Sequence, residues 1–516
     1  MKKHILNIAI MGLLALALSS CFSDSSSLGD PNSVPTIEIT IPEKTSVVSY
    51  KGNHLTINPE IKSVYDDSQL RYTWYLYVDK NMSGAHFRDE IIGTERNLDW
   101  EVNKPSGVYI ACLEVEVKET GLKQYSQDTL LVSTEFSDGF YILKETEDGQ
   151  TDIDMSAESG MSIDIIKKMT GAPLAGKPVS LAMVYQQNYV NPNTNEMEMT
   201  NMLNIFTTEE YRGYRTEDMK LIFDQKSICY AGEDNDDVYY NMTNAYNIGF
   251  MLSKKGISSM AMKGAGSLST GKFTLPVFED NITKHVQLCS GGQRGIAYWS
   301  KNLHGVRNVD MAGVNLFDVS SDPNGVQECI ASGINRKSAA IETVWFLAEE
   351  PETGKRFLHI INGKTAQLTE IRELNPDLHI SKATCVGACG GSAAYIYAVD
   401  GGKLYAYAWE TDSEVEVPLP GVTEPVSFVT NQWLALMFGD KHLNYDNLIV
   451  GTQNGNSYTL YFFDNLTGGV PTENAYRVIS GTGKIHSIRR CFPSIINNMV
   501  ITMGPRSPKP IFPTSE

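Results

Sequence analysis

A repeated two-strand pattern constrains the fold of this chain more than any other feature of its sequence. Four segments, each with two apolar strand-like runs joined by a Gly- or Asp-containing turn, start near residues 294, 344, 393 and 448. A repeat of roughly fifty residues built from antiparallel hairpins is typical of a β-propeller. We therefore predict a propeller over residues 135–516, with room for seven or eight blades. A long β-helix is the alternative, and the best helix candidate, residues 159–171, falls between two blades.

The segment Tyr395–Glu410 gives the most detailed prediction within this repeat. If Gly401 and Gly402 are the two central residues of a hairpin turn, nearly every aromatic residue faces an alanine across the ribbon. The predicted pairs are Val399–Leu404, Ala398–Tyr405, Tyr397–Ala406, Ile396–Tyr407, Tyr395–Ala408 and Ala394–Trp409. A ribbon that is apolar on both faces must be covered on both sides, as a blade between two neighbours is. A stacking platform for a ligand is the alternative interpretation of the same aromatic residues.

The first residues of the chain predict export and a lipid anchor. A short basic start is followed by the apolar run Ile5–Leu18, which is shorter than a membrane span. The run ends in Leu-Ser-Ser-Cys, which resembles a bacterial lipobox and predicts that Cys21 receives the lipid. Residues 1–20 are then the signal peptide, and residues 21–34, rich in Ser, Gly, Pro and Asp, are a flexible tether.

The charge of the mature chain excludes several classes of partner. Removal of the signal peptide leaves 41 basic and 61 acidic residues, a net charge of −20 with histidine neutral. Such an acidic chain is not suited to nucleic acid or to an anionic membrane surface. No later apolar run approaches the ~18 residues of a transmembrane helix.

Residues 35–134 show the alternating pattern of short β-strands. Tyr72, Trp74 and Leu76 share one strand face, and the strand that contains Leu113 places Glu114 on its outer face. About seven such strands in ~100 residues are typical of an immunoglobulin-like sandwich. The predicted fold is therefore all-β, with an N-terminal sandwich followed by the propeller.

The N-terminal pattern also resembles a known family. The strand "YTWYLYVDK" with its central Trp74, followed later by Gly-x-Tyr and an alternating strand, is similar to the polycystic-kidney-disease (PKD) type of sandwich. Because the W-D-F-G-D-G core of that family is missing, the match is to the divergent PKD-like domain of Bacteroidota lipoproteins. This resemblance implies a surface-exposed outer-membrane lipoprotein, associated with a TonB-dependent transporter and a starch-utilisation-type binding lipoprotein. It names no substrate.

Motifs for catalysis are missing from the sequence. There is no H-E-x-x-H, no G-x-S-x-G and no P-loop, and the histidines share no metal-ligand spacing. The seven cysteines other than Cys21 are scattered, with Cys385 and Cys389 as the only close pair, and buried free thiols are the simplest interpretation. We expect no cofactor. A propeller glycosidase or lyase, with carboxylates converging at the centre, remains an alternative.

One acidic loop is a weak candidate for a cation site. It contains Glu233, Asp234, Asp236 and Asp237, whose oxygens are ligands that calcium prefers. The loop lacks the register of a calcium-binding loop, so a solvated acidic turn is the favoured interpretation.

Aromatic, amide and arginine side chains in the repeat are the candidates for ligand contact, because they suit sugars and peptides. They are Tyr189, Arg294, Trp299, His304, Arg307 and Trp433. For Trp299, packing in the core of a blade is an equal alternative.

The leading hypothesis is a non-catalytic binding lipoprotein of an uptake system for a glycan or peptide. A scaffold or adhesin that docks on outer-membrane proteins is a further alternative.

Overall fold

A computed structural model describes most of the chain after the predicted tether. The described residues are 36–42, 45–48, 53–77, 90–104, 107–157, 160–234, 236–245, 248–261, 270–289, 294–310, 312–335, 342–389, 393–434, 445–464 and 466–491. The predicted signal peptide, Cys21 and the tether lie outside these residues. The chain folds into two compact units, formed mainly by residues up to Leu130 and by residues from Leu131 onwards. No helix in the described ranges is long and apolar enough to span a membrane.

The N-terminal unit is built from antiparallel strands around a central five-stranded sheet. That sheet has the order β2-β9-β8-β5-β6, and the pairs β1–β4 and β3–β7 accompany it. The strands are β1 (Glu38–Thr40), β2 (Thr45–Val48), β3 (His54–Ile57), β4 (Glu60–Lys62), β5 (Leu70–Tyr77), β6 (Glu90–Gly93), β7 (Leu98–Glu101), β8 (Gly107–Val117) and β9 (Lys123–Ser133).

Alternation in β5 and β8 places the predicted core residues inside this unit. Tyr72, Trp74 and Leu76 are all buried, and Trp74 and Leu113 are fully enclosed. The prediction for Glu114 is wrong, because its side chain is only 2% exposed. The ammonium group of Lys123, at 2.9 Å on the adjacent strand, compensates for burying this carboxylate.

The C-terminal unit consists of four-stranded antiparallel sheets. The first sheet contains β10 (Gly139–Glu145), β11 (Thr151–Ala157) and β12 (Gly160–Ser162). The second contains β13 (Pro178–Val190), β14 (Met197–Thr207), β15 (Tyr211–Arg215) and β16 (Leu221–Asp224). The third contains β17 (Tyr239–Ala245), β18 (Ile248–Ser253), β19 (Gly256–Ala261) and β20 (Phe278–Glu279). The next two are β21 (Ile282–Leu288), β22 (Arg294–Ser300), β23 (Gly305–Asp310) and β24 (Leu316–Asp318), and β25 (Glu328–Asn335), β26 (Thr343–Glu349), β27 (Arg356–Asn362) and β28 (Gln367–Glu373).

The last two sheets complete the unit. They are β29 (Cys385–Ala388), β30 (Ile396–Asp400), β31 (Lys403–Ala408) and β32 (Ser413–Glu416), and β33 (Val426–Leu434), β34 (Tyr445–Asn454), β35 (Ser457–Phe463) and β38 (Arg477–Thr482). A short hairpin, β36 (Leu466–Thr467) and β37 (Val470–Pro471), precedes β38. The final strand, β39 (Lys484–Cys491), pairs with β10 and so becomes the fourth strand of the first sheet.

These sheets form a closed ring. Their inner strands contact one another in the order β39-β13-β17-β21-β25-β29-β33 and back to β39. The described residues therefore form a β-propeller with seven four-stranded sheets, which excludes the β-helix alternative. Because β39 comes from the far end of the chain and β10 from the start of the unit, their pairing closes the ring non-covalently.

The hairpin of β30 and β31 has the register predicted from the sequence. Val399–Leu404, Ala398–Tyr405, Tyr397–Ala406 and Ile396–Tyr407 are paired, and both turn glycines have positive φ, as a primed turn requires. The ladder ends at Ile396–Tyr407, so the two outer predicted pairs are not formed. Tyr405 and Tyr407 pack with Trp345 of the preceding sheet, whereas Tyr397 and Ala406 pack with Val429 of the following one. The aromatic residues are blade core on both faces.

Overpacking this interface tests that assignment. Replacing Ala406, which is 1% exposed, with tryptophan should lower the free energy of unfolding by about 1–3 kcal/mol, because the larger ring must displace the buried neighbours of Ala406, such as Tyr397 and Val429. Chemical denaturation measures the change. Val415→Trp, at a position 53% exposed in the same sheet, is the control and should change stability by less than about 0.5 kcal/mol. Equal stability of the two variants would contradict the packing described here.

The predicted helix over residues 159–171 is shorter in the structure. Only Ile165–Thr170 (α1) is helical, whereas Gly160–Ser162 forms β12, the outer strand of the first sheet. Buried Asp152 accepts hydrogen bonds from the backbone N–H groups of Ile166 at 2.9 Å and Lys167 at 3.2 Å, which satisfies the start of the helix. The apolar residues of this segment therefore lie partly in the short helix α1 and partly in the outer strand β12.

Candidate functional site

The inner strands share a local irregularity near their first residues. The strand register shifts at this point in β13, β17, β21, β25, β33 and β39. A β-bulge adds a residue to one strand and changes the direction of nearby side chains. Because the same irregularity recurs around the ring, the strand starts define one end of the propeller where side chains are redirected.

Lys284 connects three inner strands at this end. It lies in the shifted stretch of β21, and its Nζ donates a hydrogen bond to the carbonyl oxygen of Val179 on β13 at 3.1 Å. Its Nζ also lies 3.4 Å from Nε2 of His486 on β39. Neither β13 nor β39 is adjacent to β21 in the ring order. The lysine side chain therefore reaches across the centre of the ring.

Two buried thiols on β25 and β29 have raised pKa values. Burial raises the pKa of Cys329 on β25 well above its usual value, and burial likewise raises the pKa of Cys385 on β29. The positive charge of Lys284 acts on both thiols in the opposite direction, with a smaller effect. The contacts of the ammonium group with the non-adjacent strands β13 and β39 place it near the ring axis. We call Lys284 and His486 the axial site.

Hydrogen bonds between neighbouring inner strands hold this site in place. Asn241 of β17 donates its side-chain N–H to the carbonyl oxygen of Lys284 at 2.9 Å. One strand earlier, Ser180 of β13 donates its hydroxyl to the carbonyl oxygen of Tyr240 at 2.6 Å. One strand later, Gln287 donates to the hydroxyl of Ser332 at 3.0 Å. The backbone that carries Lys284 is thereby fixed on both sides.

Further polar groups on the inner strands are available for solvent or a ligand. Gln187 on β13 and Ser487 on β39 are both almost fully buried. The Gln187 Oε1 and Ser487 Oγ atoms have no hydrogen-bond partner among the residues that the structure describes. Because a buried polar atom without a partner is costly, such atoms indicate a place where water or a ligand group is bound.

The tryptophans predicted as ligand contacts lie in the core instead. Trp299 and Trp433 are 0% and 1% exposed and belong to one apolar cluster with Phe346. Trp299 also packs edge-on against the His359 ring, with 5.1 Å between centroids. Trp299 lies between the fourth and fifth sheets, whereas Trp433, on the inner strand β33 of the last sheet, reaches the same cluster. Both side chains are enclosed, so these two residues are removed from the candidate contacts.

The remaining predicted contacts lie in separate local networks. The Tyr189 hydroxyl is hydrogen-bonded to Glu198 and accepts from Arg215 at 2.9 Å. Arg307 pairs with Asp280 at 2.9 Å and Asp318 at 2.8 Å, and His304 Nδ1 lies 2.9 Å from the Gln327 carbonyl oxygen. Arg294 is the first residue of β22, and its side chain lies outside the described part. The structure does not bring these residues together into one site.

The acidic loop shows no cation site in the part that is described. Asp236 forms an ion pair with Lys255 at 2.7 Å, Glu233 is exposed and Asp237 is buried. The side chain of Asp234 lies outside the described residues. No group of three or more potential metal ligands occurs within the described ranges. All seven cysteines of these ranges are free thiols, including Cys385 and Cys389.

The axial site was missed from the sequence because its residues are far apart in the chain. Lys284 and His486 are separated by 202 positions and belong to no spacing motif. The signal that could have found them is their equivalent position near the start of an inner strand. That position is recognisable only once the blades have been aligned with one another.

A comparison with known protein families agrees with the N-terminal part of the fold. The profile of the PKD-like family matches residues 29–178, which confirms the resemblance of the N-terminal region and extends over the first three strands of the propeller unit. No curated protein sequence matches the chain.

Several solved structures are similar to this chain at low sequence identity. A quinoprotein alcohol dehydrogenase-like protein from Bacteroides thetaiotaomicron is 12% identical, with a TM-score of 0.36, over 87% of this chain and 96% of that one. Apo AztD from Citrobacter koseri is 11% identical, with a TM-score of 0.30, over 68% and 96% of the two chains. The extracellular domain of a putative one-component system from B. thetaiotaomicron is 10% identical, with a TM-score of 0.24, over 75% and 67%. The sheets of the described residues and the family match show a β-propeller with an N-terminal PKD-like region.

Proposed function

We propose that this protein is a lipid-anchored binding protein on the outer-membrane surface, which captures a glycan or peptide for an uptake system without catalysis. Cys21 at the end of the lipobox provides the anchor, and residues 21–34 provide the tether. The PKD-like match over residues 29–178 supports the resemblance to lipoproteins of this architecture. A TonB-dependent transporter and a starch-utilisation-type lipoprotein are the proposed partners.

The observation that carries the binding role is the position of Lys284. A charged side chain held across the centre of a ring by contacts with two non-adjacent strands is a defined point for ligand capture. Hydrogen-bonding groups that converge where several blades meet favour one ligand per molecule. The propeller supplies the rigid frame, and the axial site supplies the specific contacts.

Replacing Cys21 with alanine tests the anchor. The variant should be exported and folded but recovered in the soluble fraction, because it lacks the thiol that receives the lipid. Fractionation and mass spectrometry of the N-terminus measure this.

The wild-type protein on intact cells should also be degraded by added protease. Membrane retention of the variant, or protection of the wild type until the cells are lysed, would contradict the proposal.

A lyase is the second candidate, and the close approach of Lys284 and His486 favours it. An imidazole beside an ammonium group can act as a general base for a proton next to a carboxylate that the ammonium group neutralises. Such an elimination produces an unsaturated sugar, which ultraviolet absorbance detects. Turnover of a polyuronate that is lost in His486→Gln would establish the lyase and overturn the non-catalytic proposal.

A further inference from the structure

The first sheet of the propeller contains a buried lysine in direct contact with two carboxylates. We propose that this lysine, Lys144, becomes joined to Asp154 by an amide bond between the two side chains, formed by the folded protein itself. The bond is a covalent modification that links β10 to β11. It lies outside the axial site and is independent of the proposed binding function.

The two reacting groups are held together on adjacent strands. In the β10–β11 register, Asp154 is paired with Ile142, two residues before Lys144, so the side chains of Lys144 and Asp154 project from the same sheet face. Their side chains are 1% and 0% exposed, and the Lys144 Nζ atom lies 2.6 Å from Oδ1 of Asp154. Holding an amine and a carboxyl group in contact converts a reaction between two molecules into a step within one.

Hydrogen-bond donors polarise the Asp154 carboxyl group on both of its oxygens. The Tyr458 hydroxyl donates to Oδ2 at 2.5 Å, and the backbone N–H of Asp164 donates to Oδ1 at 2.7 Å. Negative charge develops on these oxygens when an amine adds to the carboxyl carbon. Fixed donors in a site shielded from water stabilise that charge.

Asp164 is placed to carry protons between the reactants. Its Oδ1 accepts a hydrogen bond from the Lys144 Nζ at 2.7 Å, while its backbone N–H contacts Asp154. Asp164 has φ 51°, a left-handed conformation that is strained for a residue other than glycine. This conformation allows a single residue to contact both the amine and the carboxyl group.

The reaction is a condensation that releases one water molecule. Lys144 transfers a proton to Asp164, and the resulting neutral amine attacks Cγ of Asp154. The bond between Nζ and Cγ forms, and the bond between Cγ and Oδ1 breaks. Two of the three ammonium protons leave with Oδ1 as water, the third stays on the amide nitrogen, and Asp164 returns the proton that it accepted. No oxidant, reductant or second substrate is required.

Burial favours the amide over the ion pair. Two charges held away from water carry a desolvation cost that a neutral amide does not have. The same burial keeps away the water that would hydrolyse the bond. The Asp164 side chain is 32% exposed and gives the released water molecule a route to the surface.

The nearby Asp152 is less suited to the reaction than Asp154. Its carboxylate accepts hydrogen bonds from the backbone N–H groups of Ile153, Ile166 and Lys167, and two of these contacts hold the start of α1. Reaction at this carboxylate would remove those contacts. Asp154 instead receives Tyr458 and the lysine, so it is the expected site of the bond.

Peptide mapping of the full-length wild-type protein tests the proposal. Trypsin cuts after a lysine only when its amine is free, so most of the protein should yield residues 124–167 as one peptide that is not cut at Lys144. This peptide should be lighter than its sequence by the mass of one water molecule. Tandem mass spectrometry should show no separated fragments from residues 145–153, which lie within the ring, but separated fragments between Asp154 and Asp164.

Lys123 is the internal control, because its Nζ also contacts a buried carboxylate, that of Glu114 at 2.9 Å, but its side chain is 40% exposed. Trypsin should cut normally after it. Asp164→Asn, which removes the proton acceptor at nearly constant size, should restore cutting after Lys144. Lys177→Met, at a position 68% exposed, should keep the link, and circular dichroism verifies that the variants fold.

Four results would overturn the proposal. They are complete cutting after Lys144 in the wild type, an uncut peptide of unchanged mass, a link located at Asp164, and a link of wild-type yield in a folded Asp164→Asn variant. Loss of water at Asp148-Gly149 alone would give the same mass change but leave Lys144 open to trypsin, and would also overturn it. The wild-type map decides the question even where a variant does not fold.

Discussion

Replacing Lys144 with methionine is expected to lower the free energy of unfolding by about 3–5 kcal/mol, because the change leaves the buried carboxylate of Asp154 without its cation. Lys144 is 1% exposed, and its Nζ lies 2.6 Å from Asp154 and 2.7 Å from Asp164. Asp154 is fully buried and also accepts a hydrogen bond from Tyr458 at 2.5 Å. Lys144 and Asp154 belong to the first sheet and Tyr458 to the last, so the network supports the junction where the ring closes.

Urea denaturation of purified variants measures this effect. Lys177→Met is the control, because Lys177 is 68% exposed and lies 3.8 Å from Glu145, a surface pair that contributes less than about 1 kcal/mol. Adding Asp154→Asn to Lys144→Met should recover part of the loss, since it removes one of the two stranded negative charges. A loss below about 1 kcal/mol for Lys144→Met would show that the network adds little to stability.

The second large effect is a loss of stability in mild acid that depends on His359. This ring is fully buried, with Nδ1 2.9 Å from the Ser320 hydroxyl and Nε2 2.9 Å from Oε1 of Gln327. Burial lowers the pKa of His359 to about 4, although the negative charge of Asp322 acts in the opposite direction. Gln327 Oε1 can only accept, so Nε2 donates and Nδ1 accepts from Ser320, which favours the neutral ring.

The sign of the pH dependence follows from the two pKa values. Between pH 6.5, the ordinary pKa of histidine, and pH about 4, the unfolded chain binds a proton that the folded chain does not bind. Stability should therefore fall as the pH is lowered through this window, by about 3 kcal/mol at most. The His359 contribution should be absent above pH 7.

Thermal and urea unfolding at pH 7.5, 6, 5 and 4 test this prediction. His359→Gln removes the titrating group, so its stability should depend less on pH in this window than that of the wild type. His54→Gln serves as the comparison variant, because it removes an imidazole whose side chain is 51% exposed instead of buried. Identical slopes for His359→Gln and the wild type would show that other groups cause the acid sensitivity.

Local patterns in the sequence were sufficient for the elements and for part of the pairing. Two glycines between apolar runs specify a two-residue turn, and the turn sets the register of Tyr397 with Ala406. Alternation along β5 likewise identifies Trp74 as core. Both are interactions over a few residues, and the physical preferences of turns and strands act at that range.

Local patterns failed where a side chain on another strand changed the environment of a residue. Glu114 follows the outward phase of its strand, yet Lys123 on the next strand allows it to be buried. Trp299 has the composition of a ligand contact, yet the neighbouring blade covers it with Phe346. In both cases the deciding contact comes from another strand, which the periodicity of the residue's own strand does not describe.

The sequence by itself determined the all-β class, the PKD-like region, the propeller repeat and the register of its clearest hairpin, because short-range turn and strand preferences encode them. Only the tertiary structure decided the pairing of β39 with β10, the seven sheets of the described ring and the axial site. Lys284 and His486 become neighbours through closure of that ring, which brings strands 202 positions apart to a common centre. No local preference encodes that distance, so the candidate site exists only in the folded chain.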